Sequence, residues 1–438
     1  MHQSHAWSKE LHRRDFLKYA LATAGGLALS PAMGRGVAEA APALNGTLQT
    51  WSVDSRDAAI ASEKWWTESF RAANPGVSVN SLIVSNQEMA TKVRAAHAAG
   101  IPPDMFWTFG DLNYVYGAEG IGRRTNALLA DIGIGRFGAS VMDSIRLRGS
   151  YYSVPFVGFP FMLYYRKDMY KRKGLKPPET HAQLLENIEA LHEPPNTYGY
   201  VLTNRNLADT WNLKTAMFSH GAYFFDAKGN LALNRPETLE AWAFYKRLGK
   251  FTPPGTMEQN DVAVRRLMLD GKVAHMFTTT SFAANFRPED LERQGAVPYP
   301  RKSGAKGVSL DFYGFIFPVR AKRADLAESF VKWIMEPKNL EEYLTRTVVG
   351  WVPMVTDGYT PKYLNHPRIA PLKEYFEVGK ESAKTGIIGT GYFGPTVKSS
   401  ALVATDIEKQ IGDRLVILDQ SPKDVLDWAL SVLKDAVK

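Results

Sequence analysis

Apolar and polar positions in the first hundred mature residues alternate between strand and helix periods. Gly46–Val53 (GTLQTWSV) predicts a buried strand, and Asp54-Ser55-Arg56-Asp57 a polar loop after it. Ala58–Ala73 then sets Ile60, Trp66 and Phe70 near one helical face and stops at Asn74-Pro75-Gly76. Val77–Val84 predicts a second strand, Glu88–Ala99 a helix ended by Pro102-Pro103, and Asp104–Phe109 (DMFWTF) a third strand closed by Gly110-Asp111. Strands alternating with helices imply βαβ units and a mostly parallel sheet. Ligands of such sheets bind beyond the carboxyl ends of the strands, which puts Asp54, Arg56 and Asp111 on one rim. Asp111 has a second reading, as the cap of the next helix. Asp54 and Arg56 have one too, as a local ion pair of little energetic value.

Further on, Thr180 and Gln183 form a capping box before a helix with Leu184, Ile188 and Leu191 on its buried face. Tyr198–Leu202 predicts a strand, Thr203–Asn206 a polar loop, and Leu207–Ser219 a helix with Trp211 in its interior. Arg235-Pro236-Glu237 opens a helix with Leu239, Trp242, Ala243 and Leu248. Val262–Leu269 is helical, and Lys272–Phe277 is a strand followed by the hydroxyl run Thr278–Ser281 and Phe282. Gly307–Val319 is another strand, and Ala324–Met335 the helix after it. Val425, Trp428, Ala429, Val432, Leu433 and Ala436 recur at helical spacing behind a Ser421-Pro422 start, a core stripe. Gly133-Ile134-Gly135-Arg136-Phe137-Gly138 fits a dinucleotide-loop pattern. It lacks the preceding strand, and no acidic residue follows at the spacing a ribose contact needs, so it reads as a loop.

Tyr151–Leu175 (YYSVPFVGFPFMLYYRKDMYKRKGL) organises the rest. Its β-rich residues are interrupted by Pro155, Gly158 and Pro160 before Phe161–Tyr165 resumes. Proline removes a ladder donor, so it suits an edge or a point where chain crosses between two bodies. From spacing alone a bent edge strand is an equal reading. The order VPF…G…LYYRKDMYKRKGLKPPET…LL closely resembles the family 1 extracellular solute-binding proteins of ABC importers, the sugar-type, maltose-binding-protein-like group, over about Gly46 to the C-terminus. The resemblance implies an α/β, two-lobed periplasmic binding protein fold (type II) with interleaved lobes. Three hinge crossings are expected near 155–160, 306–312 and 350–357. Residues 44–156 and 313–352 then form the N-terminal lobe, and 160–308 and 358–438 the C-terminal lobe. Gly350-Trp351-Val352-Pro353 resembles the third crossing. The helix–Gly271–Lys272–strand unit resembles a second-lobe motif whose strand ends at an aromatic site residue; here a hydroxyl run and Phe282 stand in its place. Asn206 lies in a loop that resembles the family's second-lobe polar loop, although Asn is also an ordinary turn former.

The N-terminus changes the picture by adding an address. His12-Arg13-Arg14-Asp15-Phe16-Leu17-Lys18 resembles a twin-arginine signal, an apolar run Tyr19–Met33 follows, and Ala38-Glu39-Ala40 is a small-x-small cleavage site. The run is too short to span a bilayer, which takes about 20 residues. The sequence has no cysteine, which excludes a disulfide, a thiolate metal site, a thiol nucleophile and a lipid-bearing N-terminal cysteine. The expectation is a signal peptide over 1–40, cleaved near Ala40, and a monomer free in the periplasm. The formal charge is +8; Lys9, Arg13, Arg14, Lys18 and Arg35 against Glu10, Asp15 and Glu39 leave +6 after cleavage. The cations are scattered with no basic stripe interleaved with aromatics, so no nucleic acid is expected. A mild positive charge suits a neutral or anionic ligand better than a cationic one.

The resemblance implies capture of a carbohydrate between the lobes, an oligosaccharide including one with acidic groups, and delivery to separate permease subunits. Sugar binding needs flat apolar faces and planar polar groups. The candidates are Asp54, Arg56, Asp111, Asn206, Trp211, Phe282, Asp311, Trp351 and Tyr392. Each aromatic also reads as ordinary core; Tyr392 stands among Gly391 and Gly394, which would leave its ring open. The nine histidines show no His-x-x-x-His pair, and there is no Gly-x-Ser-x-Gly elbow or phosphate-loop lysine, so no metal, cofactor or catalytic group is expected. Two alternatives stand beside this: a secreted carbohydrate-active enzyme with Asp54 and Asp111 as facing carboxylates, and a binding protein for another solute such as a glycerol phosphate.

Overall fold

The computed structural model describes residues 43–53, 57–84, 86–205, 209–308, 310–347, 350–384, 386–387, 392–393, 396, 398, 401–402 and 405–437. Residues 1–42, which include the expected signal peptide, and Asp54, Arg56 and Asn206 lie outside these residues.

Among the described residues the strands are β1 Gly46–Ser52, β2 Val77–Ile83, β3 Met105–Phe109, β4 Val154–Arg166, β5 His275–Thr279, β6 Gln294–Val297, β7 Gly307–Val308, β8 Leu310–Ile316, β9 Val352–Pro353 and β10 Gly386–Ile387. The predicted βαβ start is present, with helices Asp57–Ala73 and Asn86–Ala98 between the first three strands. β1 pairs parallel with β2 and with β3. Beyond β3 the expected parallel sheet becomes mixed: β3 pairs antiparallel with β8, and β8 antiparallel with β4. β8 follows β3 by some two hundred residues, so neither a hairpin nor a βαβ crossover fixes its direction.

β4 is shared between two sets of partners. Its first half, Val154–Pro160, pairs with β8 and β9. Its second half, Phe161–Arg166, pairs with β5 and β6. The register on β8 slips between Pro155 and Val157, where proline offers no ladder donor. Gly158 and Pro160 sit where the partners change, and a Cβ on Gly158 would stand 2.5 Å from the Met354 sulfur.

The core of the first half is built on aromatics. Trp66, fully buried, stacks on Tyr343 at 5.2 Å and meets Phe330 edge-on at 5.3 Å. The helix carrying it turns Ala59, Trp66 and Phe70 inward, whereas Ile60 is exposed, about 100° off that stripe. The Thr180–Gln183 capping box forms as predicted, with Thr180 Oγ1 accepting from Gln183 N at 3.2 Å. Trp242 and Leu248 are fully buried, while Ala243 faces out. The 133–138 segment is a helix C-cap at Gly133 and a turn of 3-10 helix at Ile134–Arg136, tied down by Arg136 on Asp357 at 2.8 Å. No helix among the described residues is long and apolar enough to cross a membrane.

Candidate functional site

A strand sends residues two apart to the same face, so Phe159 and Phe161 of β4 point the same way on either side of Pro160. Phe159 lies 5.2 Å from Tyr313 of β8 and 5.9 Å from Phe109, the last residue of β3. Phe109 and Tyr313 are 5.1 Å apart. Phe161 is 6.4 Å from Phe159, stacks on Phe277 at 5.4 Å, and tilts against Trp211 at 4.8 Å. An unbroken file of rings therefore runs from the carboxyl end of β3, through the point where β4 changes partners, to the helix Trp211–His220. The inner rings are buried, and Phe109 and Trp211 at its ends are half-buried. Such faces suit the C–H side of a pyranose or polyol chain.

Polar groups gather at the Trp211 end. Lys214 Nζ lies 3.9 Å from the Trp211 ring centroid and 3.4 Å from Glu408 Oε2. Thr210 Oγ1 donates to the same oxygen at 2.6 Å. Lys214 and Glu408 are 1% and 0% exposed, so this is a buried ion pair joining the helix Trp211–His220 to the helix Ile407–Val416. A second group surrounds Arg265, in the helix Asp261–Leu269. Its Nε and Nη2 donate to Asp261 Oδ2 at 3.0 and 2.6 Å, and Nη2 also reaches Thr278 Oγ1 at 3.2 Å and Ser281 Oγ at 2.9 Å. Asp209 Oδ1 accepts from Asp261 N at 3.0 Å, two residues before Trp211. Thr279 Oγ1 and Ser281 Oγ are 2.6 Å apart. Among the described residues no cluster of three or more His, Cys, Asp or Glu is placed to hold a metal ion.

The expected residues fall in several places. Trp211 is the first residue of its helix rather than an interior one, which lets its ring reach Phe161. Asp111 stands in the first turn of the helix Gly110–Ala118, whose cap position is Phe109. Asp311 is fully buried in β8 opposite Phe159, and its Oδ1 accepts from Phe312 N at 2.8 Å. Trp351, 3% exposed, is core: it stacks on Tyr343 at 6.1 Å and meets Trp107 and Tyr313 edge-on. Phe282, 1% exposed, packs on Tyr164 and Phe286. Tyr392 is buried against Tyr223 and Phe218, two turns along the helix from Trp211, despite the glycines around it; its hydroxyl accepts from Lys306 N at 3.2 Å. The structure thus sets Trp211 and Asp311 against the crossing strand, and Trp351, Phe282 and Tyr392 into packing. Sequence reading passed over Phe109, Phe159, Tyr313, Lys214, Asp209, Asp261 and Arg265. The one local signal for Lys214 was its place three residues after Trp211, on the same helical face.

The family model of bacterial extracellular solute-binding proteins matches residues 65–371. The chain is similar to the mannitol-binding protein of Pseudomonas aeruginosa, 28% identical over 267 residues, 57% of this chain and 60% of that one. It is similar to the maltotriose-binding protein of Pyrococcus abyssi, 22% identical over 315 residues, 69% of this chain and 64% of that one. The chain thus spans somewhat under two thirds of the length of these curated relatives. Among solved structures, an ABC transporter solute-binding protein of Agrobacterium radiobacter in complex with ribitol superposes with a TM-score of 0.75 at 20% identity, covering 90% of this chain and 99% of that one. Maltose-bound MalE3 of T. maritima gives 0.75 at 17% identity, covering 89% and 99%. These likenesses establish the fold as that of the two-lobed solute-binding proteins.

Proposed function

The chain belongs to the bacterial extracellular solute-binding proteins, and from that membership we propose that it captures a sugar or polyol and hands it to the permease subunits of an ABC importer. Members of this family hold solutes and do not transform them, so the glycosidase alternative has no support. The observation that carries the reading is the ring file across β4: flat apolar faces with polar groups beside them, at the strand where the sheet changes partners. The lobes are 44–156 with 313–352 and 160–308 with 358–438, and the solute sits between them. Closing brings contacts from both sides onto one ligand, the domain-closure mode of periplasmic binding proteins. Asp111, beyond β3, and Trp211 supply contacts from opposite sides. Asp54, Arg56 and Asn206, outside the described residues, are added as further contacts from their sequence positions alone. The mature chain works as a monomer in the periplasm after loss of residues 1–40. Calorimetry with mannitol, ribitol and maltotriose tests this: saturable one-to-one binding, with the solute recovered intact by chromatography, is expected. Cleavage of the sugar, or no binding by any sugar or polyol, contradicts it.

A further inference from the structure

The reading above leaves the solute's charge open. Resting on that reading, we propose that Arg265 and Asp261, with the hydroxyls of Thr279 and Ser281, form a subsite for a pair of neighbouring hydroxyl groups, so that the protein selects uncharged sugars or polyols over their carboxylate and phosphate relatives.

Thr279 lies directly across the ladder from Phe161, in the ring file. Thr280 N donates to Pro160 O at 2.9 Å, at the change of partners, and Thr280 Oγ1 donates to Gly350 O at 2.5 Å. Asp261 is tied to Asp209, two residues from Trp211. The Arg265 group therefore stands between the crossing strand and Trp211. A surface ion pair between residues four apart on a helix needs nothing beyond its own carboxylate. Arg265 instead extends to the hydroxyl of Thr278 in β5 and to that of Ser281 just beyond it.

Chemistry follows. The two side chains keep 13% and 26% exposure. Arg265 bonds through Nε and Nη2 and Asp261 through Oδ2, so Nη1 and Oδ1 are the atoms turned to a ligand in this proposal. A vicinal diol offers lone pairs and hydroxyl protons side by side, so a guanidinium donates to one oxygen while the carboxylate accepts from the other. Charge narrows the class. Both cations described here are neutralised, Arg265 by Asp261 and Lys214 by Glu408. An anionic solute would meet no uncompensated cation among these residues and would lose solvation on entry.

The test is calorimetry on the purified protein with mannitol, ribitol and maltotriose against gluconate, glucuronate and glycerol 3-phosphate. Binding by a neutral member, with its acidic counterpart at least about 10-fold weaker, is expected. Tighter binding of an acidic member overturns the inference while leaving the solute-binding reading intact. Silence across the whole panel overturns both. Arg265→Met should weaken the neutral ligand about 10- to 100-fold, the range for a charged hydrogen bond. Asp261→Asn keeps the shape and frees the guanidinium, so the gluconate-to-mannitol affinity ratio should rise about 10-fold or more; this variant decides the matter even if Arg265→Met fails to fold. An unchanged ratio in Asp261→Asn overturns the inference.

Discussion

Removing one member of the Lys214–Glu408 pair should cost far more than removing both. The charges are 3.4 Å apart, and both side chains are essentially out of solvent. At an effective dielectric of about 20 their attraction is about 5 kcal/mol. Lys214→Met leaves Glu408 buried with Thr210 as its remaining side-chain partner among the described residues, and breaking such a pair costs about 3–5 kcal/mol. The cation over Trp211 adds about 1–2 kcal/mol to that loss. Lys214→Met/Glu408→Leu removes both charges, and a buried pair exchanged for apolar groups is often near neutral. Urea denaturation of wild type, both single variants and the double variant, taken as a cycle, should give a coupling of about 2 kcal/mol or more. Additive losses would refute the argument, because the pair would then be contributing as an exposed one does. The same carboxylate holds Thr210 and Lys214 on either side of Trp211, so the single variants should also weaken sugar binding.

Trp211→Ala removes the terminal ring of the file and should weaken sugar binding by about 10-fold or more in calorimetry, while lowering stability by at least about 1–2 kcal/mol through loss of its cation contact with Lys214. Gly350 has φ +79°, and a Cβ there would stand 2.5 Å from Thr280 O and 2.6 Å from Ser281 Cα. Gly350→Ala should therefore lower stability by at least about 1–2 kcal/mol and disturb binding; an unchanged melt contradicts the contact. Acid should destabilise the fold through His275. Burial pushes its imidazole down to about 4, with Nδ1 donating to Gly199 O at 2.6 Å and Nε2 accepting from the Tyr170 hydroxyl at 2.6 Å. The unfolded chain takes up that proton near pH 6.5, so stability is complete above this value and falls as pH drops toward 4. Burial also pushes His181, down to about 3, and His220, adding the same sign. A melting temperature that holds or rises from pH 7 to pH 5 contradicts this.

The early strands, the Thr180 cap and the broken strand around Pro155–Pro160 were legible because each is set by residues close in sequence. The antiparallel entry of β8 was not, since its pairing with β3 joins Phe109 to Tyr313 across the length of the chain. Ile60 shows the limit of a sparse apolar pattern: Ala59 and Trp66 define the buried stripe, and one step around the helix reverses exposure. At the site, Trp211 was visible as an aromatic near a polar loop, whereas nothing near Lys214 in sequence pointed to its partner, since Glu408 comes from the far end of the chain. Phe282 and Tyr392 stood at loop ends, where an aromatic serves a ligand or plugs a core; Tyr164 and Tyr223 decide for packing. Arg265 and Asp261 carried the spacing of an ordinary helical ion pair, and only β5 brought hydroxyls to them.

The central claim is a solute held across β4 between the two sets of strands. A crystal structure with a neutral sugar or polyol that raises the melting temperature tests it most directly. The account predicts that solute in contact with Trp211 on one side and the Phe109–Asp111 end of β3 on the other; a solute bound away from both would contradict it.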